Sequence, residues 1–359
     1  VVAELVVESL RGGLVESVHR VSVAVVDADG RLVAAAGNPE LPTFVRSAAK
    51  PFQALPIVED GAAERFGVSQ EELALICASH NSEPDQVAIV RGLLERIGAA
   101  EGDLACGPHR PLSADFALPA PTGARDVRSP ISDVRRGAAG AGSRDRTSDI
   151  RHRGGGDGRL SSNCSGKHTG MLALARHHGW KTAGYHESTH PVQRRCRESL
   201  ARWSGLAPES LREGVDGCGV VAFALPLSRL ALAYARLVAS SEPGPRAIVG
   251  AMMGHPALVA GQGRPCTALM EAYPGRLLAK VGAEGVYGAA LPERRLGIAL
   301  KVEDGHTWAA VVALWTTLAQ LGLDPPLAER VPQFATIPTL NTRGETVGSL
   351  RARGEITFV

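Results

Sequence analysis

Hydrophobic and polar positions along the chain follow two different periods. From Val21 to Gly37 (VSVAVVDADGRLVAAAG) two apolar, β-branched runs flank Asp29-Gly30, the strongest short hairpin signal a sequence carries. From Pro51 the spacing turns helical. SQEELALICASH opens on Ser69 with Glu72 three residues on, a capping box. QVAIVRGLLERIG repeats apolar residues at helical spacing and stops at Gly98. GMLALARHHGW, PVQRRCRESLARWSG and FALPLSRLALAYARLVAS are further predicted helices. β character returns in GVYGAALPERRLGIALKVEDG, a second hairpin, before TWAAVVALWTTLAQLG, a helix with a broad apolar face. Strands at both ends and helices between predict an α+β fold: one antiparallel sheet built from both chain ends, with a helical region inserted.

Composition narrows this picture. The chain has 359 residues, 44% of them hydrophobic, enough for a well-buried core, and reads as a single domain over 1–359. No apolar run reaches the ~20 residues of a membrane span. The first residues, VVAELVVESLRGG, carry no basic region ahead of a cleavage site. A cytoplasmic protein with no membrane partner is the expectation. Six cysteines, spread singly through a chain of this length, read as reduced thiols.

The segment 121–160 stands apart, with nine arginines, five aspartates and eight glycines but no lysine, glutamate or aromatic residue. Without any period it predicts a flexible loop insertion. Nucleic-acid binding would need those basic residues interleaved with aromatics or set in a recognised module. Neither is present, and no nucleic-acid partner is expected.

Charge usage points to chemistry. Arginine carries the surface, and the only lysines are Lys50, Lys167, Lys181, Lys280 and Lys301. In RSAAKPFQ, Ser47 and Lys50 stand at i and i+3, a spacing that puts both on one helix face. A lysine there can act as a base if burial or another cation lowers its pKa. Arginine cannot, because it keeps its proton. CASHN supplies Ser79-His80-Asn81, the S-x-N form that accompanies S-x-x-K in penicillin-recognising hydrolases, and Lys280-Val281-Gly282 supplies the K-x-G triplet. NCSGKHTG places Cys164, Lys167 and His168 at helical spacing, and GVDGCG holds Asp216 and Cys218 in a glycine turn. Two thiolates and a nitrogen donor make a zinc shell, yet no C-x-x-C pair is present. Two buried structural cysteines and a metal site both remain open on spacing alone. Cys266 reads as a reactive or a packed thiol, and His109 as a residue that orients the site or sits in a loop.

Taken together, RGGLVESVHR, RSAAKPFQALP, CASHNSEP, CGPHRPL, NCSGKHTGMLA, GVDGCGVVAFALPL, GHPALVAGQGRPCTALM and KVGAEGVYGAAL resemble the asparaginase II family. The likeness runs from about Glu8 to the C-terminus, the arginine-rich segment excepted. The resemblance implies a fold like serine β-lactamases and glutaminases, a bacterial-type homodimer, and hydrolysis of L-asparagine to L-aspartate and ammonia. It implies two serine–lysine tandems, Ser47 with Lys50 and Ser79 with Lys280. It also implies substrate contacts at His80, Asn81, Asp216 and Cys266, and a Zn²⁺ held by Cys164, Lys167 and Cys218, tuning substrate binding. A β-lactam- or peptidoglycan-directed serine hydrolase and a zinc-stabilised binding protein are the alternatives.

Overall fold

The computed structural model describes residues 4–116 and 158–359. The segment 121–160, expected to be a loop, therefore lies outside the described residues except for its last three.

Strands β1 (Leu5–Arg11), β2 (Leu14–Asp27) and β3 (Leu32–Ala36) open the fold, and the Asp29-Gly30 hairpin joins the last two. Strand β4 (Pro42–Phe44) follows, and β5 (Arg212–Val215) and β6 (Val221–Pro226) come only after the helical region. Then come β7 (Leu278–Val281), β8 (Val286–Leu291) and β9 (Leu296–Val302). Strands β10 (Thr336–Leu340), β11 (Thr346–Gly354) and β12 (Thr357–Phe358) close the chain.

The main sheet runs β10-β11-β1-β2-β9-β8-β7, with β3 and β12 branching from β2. Its strands come from the two chain ends, as the pattern predicted. The long β2 makes this possible. Its first half pairs with β1, and its second half carries β9 on one edge and β3 on the other. Val21 to Val26 are buried without alternation, because helices cover both faces at that point. The helices Leu227–Ala239 and Thr307–Gln320 pack on this sheet. No helix among the described residues is long and apolar enough to cross a membrane.

The run FALPLSRLALAYARLVAS, expected as one helix, is divided. Its first residues belong to β6, the centre of a second, three-stranded sheet ordered β4-β6-β5, and the helix begins at Leu227. Pro226 marks the break, since a proline cannot donate within a continuing helix. The buried Phe223 and Leu225 pack as strand residues.

The helix Gln70–Ile76 has the capping box its sequence announces. Ser69 Oγ accepts from Glu72 N at 3.2 Å, and Glu72 Oε2 accepts from Ser69 N at 2.9 Å. Ser69→Ala is expected to cost about 1 kcal/mol in urea unfolding, with unchanged slope. This helix delivers the Cys77–Asn81 segment, so its start matters to the site below.

Candidate active site

Three separate stretches meet at one hydroxyl. Ser79 follows the helix Gln70–Ile76, Lys50 opens the helix Lys50–Glu59, and Lys280 stands on the terminal strand β7. Lys280 Nζ lies 2.8 Å from Ser79 Oγ, and Lys50 Nζ lies 3.1 Å from it on another side. All three residues are at most 2% exposed.

Lys50 also donates to the Ala78 carbonyl and, at 3.4 Å, to that of Asn163. Its three acceptors match the three N–H groups of an ammonium. Lys280 has Val281 O at 2.9 Å as its one other partner among the described residues. Burial, and then the neighbouring Lys50 charge, push the Lys280 amine down to about 7.

Close helix packing creates this meeting point. A β-carbon at Gly166 would lie 2.2 Å from the Leu75 carbonyl, so only glycine lets the helix Ser165–His178 approach the helix Gln70–Ile76 this closely. That approach brings the Asn163 carbonyl to the Lys50 amine and to the His80 N–H, 3.3 Å away.

Ser47 lies on the short 3-10 turn Arg46–Ala49, directly ahead of Lys50. It is half-buried and lines a cavity of about 750 Å³ that Ser79 also lines. The sequence pairs Ser47 with Lys50, but no hydrogen bond joins the two; the Lys50 amine is turned to Ser79. Arg46, just before Ser47, has φ of 48°, a left-handed conformation that residues with a β-carbon seldom adopt. It is held there by Asp216, whose Oδ1 accepts from Arg46 Nε at 3.1 Å and Nη2 at 2.9 Å. Backbone strain of this kind collects at functional sites. Burial raises the Asp216 carboxyl, but Lys167 and Arg46 outweigh it and hold the group below the usual carboxylate range.

Asp216 begins the turn between β5 and β6 that also carries Cys218. Lys167 Nζ sits 3.1 Å from Cys218 Sγ, and the free Cys164 thiol, at the start of the helix Ser165–His178 and 3.2 Å from Asn163 Oδ1, also hydrogen-bonds towards Cys218. The Cys164 bond, opposed by burial and helped by Lys167, brings the Cys218 thiol down to about 5. The same bond and burial push Cys164 up to about 12. Two sulfurs on the cavity wall and the buried Lys167 amine behind them thus come together, a donor set that fits a three-ligand zinc with an open position. Among the described residues no group of three or more His, Cys, Asp or Glu could hold a metal ion, so Lys167 would have to be the third ligand, and it can coordinate only after losing its proton.

Several residues singled out in the sequence are set back from the cavity. His80 is fully buried; its Nδ1 accepts from Ser82 N at 3.1 Å and its Nε2 meets Ser165 Oγ at 2.9 Å. Burial lowers its pKa to about 3, so it stays neutral and braces two segments. Cys266 packs behind β7, with Tyr287 OH at 3.3 Å and Val281 N donating to it at 3.3 Å. His168 bonds Tyr185 OH at 2.5 Å and does not join the cysteines. His109 is exposed at the cavity rim.

Asn81 is buried too, bonded to Arg264 and to Glu83. Its neighbour Gly261 has φ of 126°, and a β-carbon there would lie 2.1 Å from Asn81 Nδ2. Arg46 and Arg264 are among the cavity residues that the motifs alone do not single out. Arg46 adjoins Ser47 and Arg264 stands two residues before Cys266, and an arginine in an arginine-rich chain gives no separate signal.

No curated protein matches the chain. One solved structure similar to it is titled "Crystal structure of putative beta-lactamase from Bacteroides dorei DSM 17855". It is 9% identical, covers 84% of this chain and 88% of that one, and has a TM-score of 0.35. The sequence model described as L-asparaginase II matches residues 7–120 and 125–352, running through most of the arginine-rich segment that the motif likeness had left out. The chain belongs to the L-asparaginase II family.

Proposed function

We propose that this protein hydrolyses the side-chain amide of L-asparagine, giving L-aspartate and ammonia through a serine ester. The observation that carries the reading is the Ser79 hydroxyl held at 2.8 and 3.1 Å between two buried lysines, on the wall of the cavity that Ser47 also lines. Ser47 Oγ attacks the amide carbon. It is the serine whose hydroxyl has no protein partner among the described residues and so is free to turn to substrate. Its proton passes to the Ser79–lysine relay, where neutral Lys280 is the final acceptor and Lys50 keeps Ser79 oriented.

Backbone N–H groups near Ser47 would support the oxyanion, each worth roughly 3 kcal/mol when well placed. The relay returns the proton to the leaving nitrogen, ammonia departs, and water cleaves the ester to regenerate Ser47. Asp216, with Oδ2 outside its bonds to Arg46, would receive the substrate ammonium.

Cys164, Lys167 and Cys218 would hold Zn²⁺, which when bound would supply an open Lewis-acid position that tunes how substrate sits. Metal analysis should find about one zinc per chain. Chelation should raise KM for asparagine several-fold while kcat changes little, with Zn²⁺ restoring it; a metal-free, fully active protein would remove zinc from the reading. A homodimer in the cytoplasm completes the proposal, and sedimentation reads the first part of it.

The test of the activity is ammonia release from L-asparagine and L-glutamine by purified protein, with nitrocefin alongside. Release from asparagine is the expected result. Nitrocefin turnover without ammonia would replace this reading with a β-lactam-directed one.

A further inference from the structure

Arg264 opens the helix Pro265–Ala272 and is 1% exposed. Its Nη1 donates to Asn81 Oδ1 at 2.9 Å and to the Ser79 carbonyl at 3.4 Å. The guanidinium carbon lies 4.0 Å from the centre of the Phe116 ring, and Phe116 in turn packs edge-on against Trp308. Nε and Nη2 are buried and have no hydrogen-bond partner among the described residues.

These two donors form the side edge of the guanidinium, the geometry that meets a carboxylate with two parallel hydrogen bonds. The nearby acids are engaged elsewhere. Glu83 Oε1 accepts from Asn81 Nδ2 at 3.1 Å and Gln262 N at 3.0 Å, and Asp115 pairs with Arg110 at 2.5 Å. Arginine cannot shed its charge to escape burial. An unpaired buried cation is strongly unfavourable, so this one points to an anion that arrives from outside the protein. Arg264, Phe116 and Trp308 all line the cavity that holds Ser47, Ser79 and Asp216.

We infer that the Nε–Nη2 edge of Arg264 holds the α-carboxylate of the substrate, which makes this protein selective for short amides that carry a free carboxylate. The inference rests on the amidohydrolase reading above for its substrate, though not for the carboxylate contact itself. Through the Ser79 carbonyl the anchor is tied to the backbone of the proton-relay serine, and the span from carboxylate to amide carbon is taken to be that of a four-carbon substrate. Asparagine and succinamate fit such a span. Asparagine blocked as its α-amide, or placed inside a peptide, would leave the fork without its anion. A site built around a buried polar partner rejects the analogue that lacks it far more strongly than a hydrophobic pocket rejects an extra methylene.

The first arm compares ammonia release from the side chain of L-asparagine, of succinamate and of L-asparagine α-amide. Wild type should favour asparagine over its α-amide by ~100-fold or more in kcat/KM. Arg264→Gln should raise KM for asparagine by a similar factor, more than it lowers kcat, and erase the preference. Arg264→Lys should restore part of it, since a point charge replaces the fork.

The second arm needs no turnover. Calorimetric titration of succinate and of succinamide into Ser47→Ala protein should show binding of the dianion alone, lost on adding Arg264→Gln. Circular dichroism checks that each variant is folded, and the wild-type turnover comparison and the Ser47→Ala binding comparison stand even if the glutamine variant is not.

Equal turnover of asparagine and its α-amide by wild type, or equal binding of succinate and succinamide, overturns the inference and leaves the amidohydrolase reading intact. Arg264-dependent succinate binding with no ammonia from any amide does the reverse: the anchor stands and the hydrolase reading falls.

Discussion

Ser47→Ala is expected to lower asparagine turnover by about 10⁴-fold or more, the scale on which a lost nucleophile is felt when the rest of its machinery remains. Ser79→Ala should cost less, about 10²- to 10³-fold, because it removes a proton relay and leaves the attacking hydroxyl in place. The difference follows from position. Ser47 is half-buried with its hydroxyl free at the cavity, whereas Ser79 is 2% exposed and bonded to both lysines. Trapping the ester with a slow amide or ester analogue, followed by peptide mass mapping, decides the matter directly. An adduct on the peptide containing Ser47 agrees with the proposal; one on Ser79 reverses the roles of the two serines, and a fully active Ser47→Ala protein removes Ser47 from the chemistry.

Lys280 governs the second large effect. With its amine at about 7, kcat/KM should rise with pH through that region as the proton leaves. Lys280→Arg should abolish both the rise and most of the activity, since arginine stays charged. His80 and His168, both lowered to about 3 by burial, titrate too far below to produce this limb.

The same shift has a consequence for stability. Between about 7 and the usual lysine value of 10.5, the folded protein binds fewer protons than the unfolded chain, so stability rises with pH across that window. Below pH 7 the burden of burying the charge is fully present. Lys280→Met should therefore melt higher than wild type at pH 6, with the gap closing towards pH 10. A flat pH–rate profile together with a pH-independent gap in Tm would show that Lys280 is not the group that loses its proton.

Much of the scaffold could be read from local signals. The Asp29-Gly30 hairpin, the Ser69–Glu72 capping box and the glycine that ends the Ser165–His178 helix are each set by a few adjacent residues, and each forms as its sequence announces. The two chain ends share one sheet for a similar reason, since strand periods bracket a helical middle. β6 was hidden because an all-apolar run bounded by proline reads equally as buried strand or buried helix, and only pairing with β4 and β5 distinguishes them.

The candidate site divides along the same line. By itself the sequence supplied residue types and order: serine and lysine three apart, S-x-N, K-x-G, and two lone cysteines. Tertiary structure alone decided that the Lys50 amine meets Ser79 and not Ser47. Lys50 lies three residues from Ser47, yet its amine reaches across 29 positions to Ser79, where it meets Lys280 from 201 positions away. Cys218 finds Lys167 across 51 residues in the same way. Those contacts depend on how closely helices approach, through Gly166 above all, and on the burial that makes one lysine titratable near neutrality and leaves one arginine waiting for an anion. Neither close approach nor burial is a property of neighbouring residues, because both arise only when distant segments exclude water together.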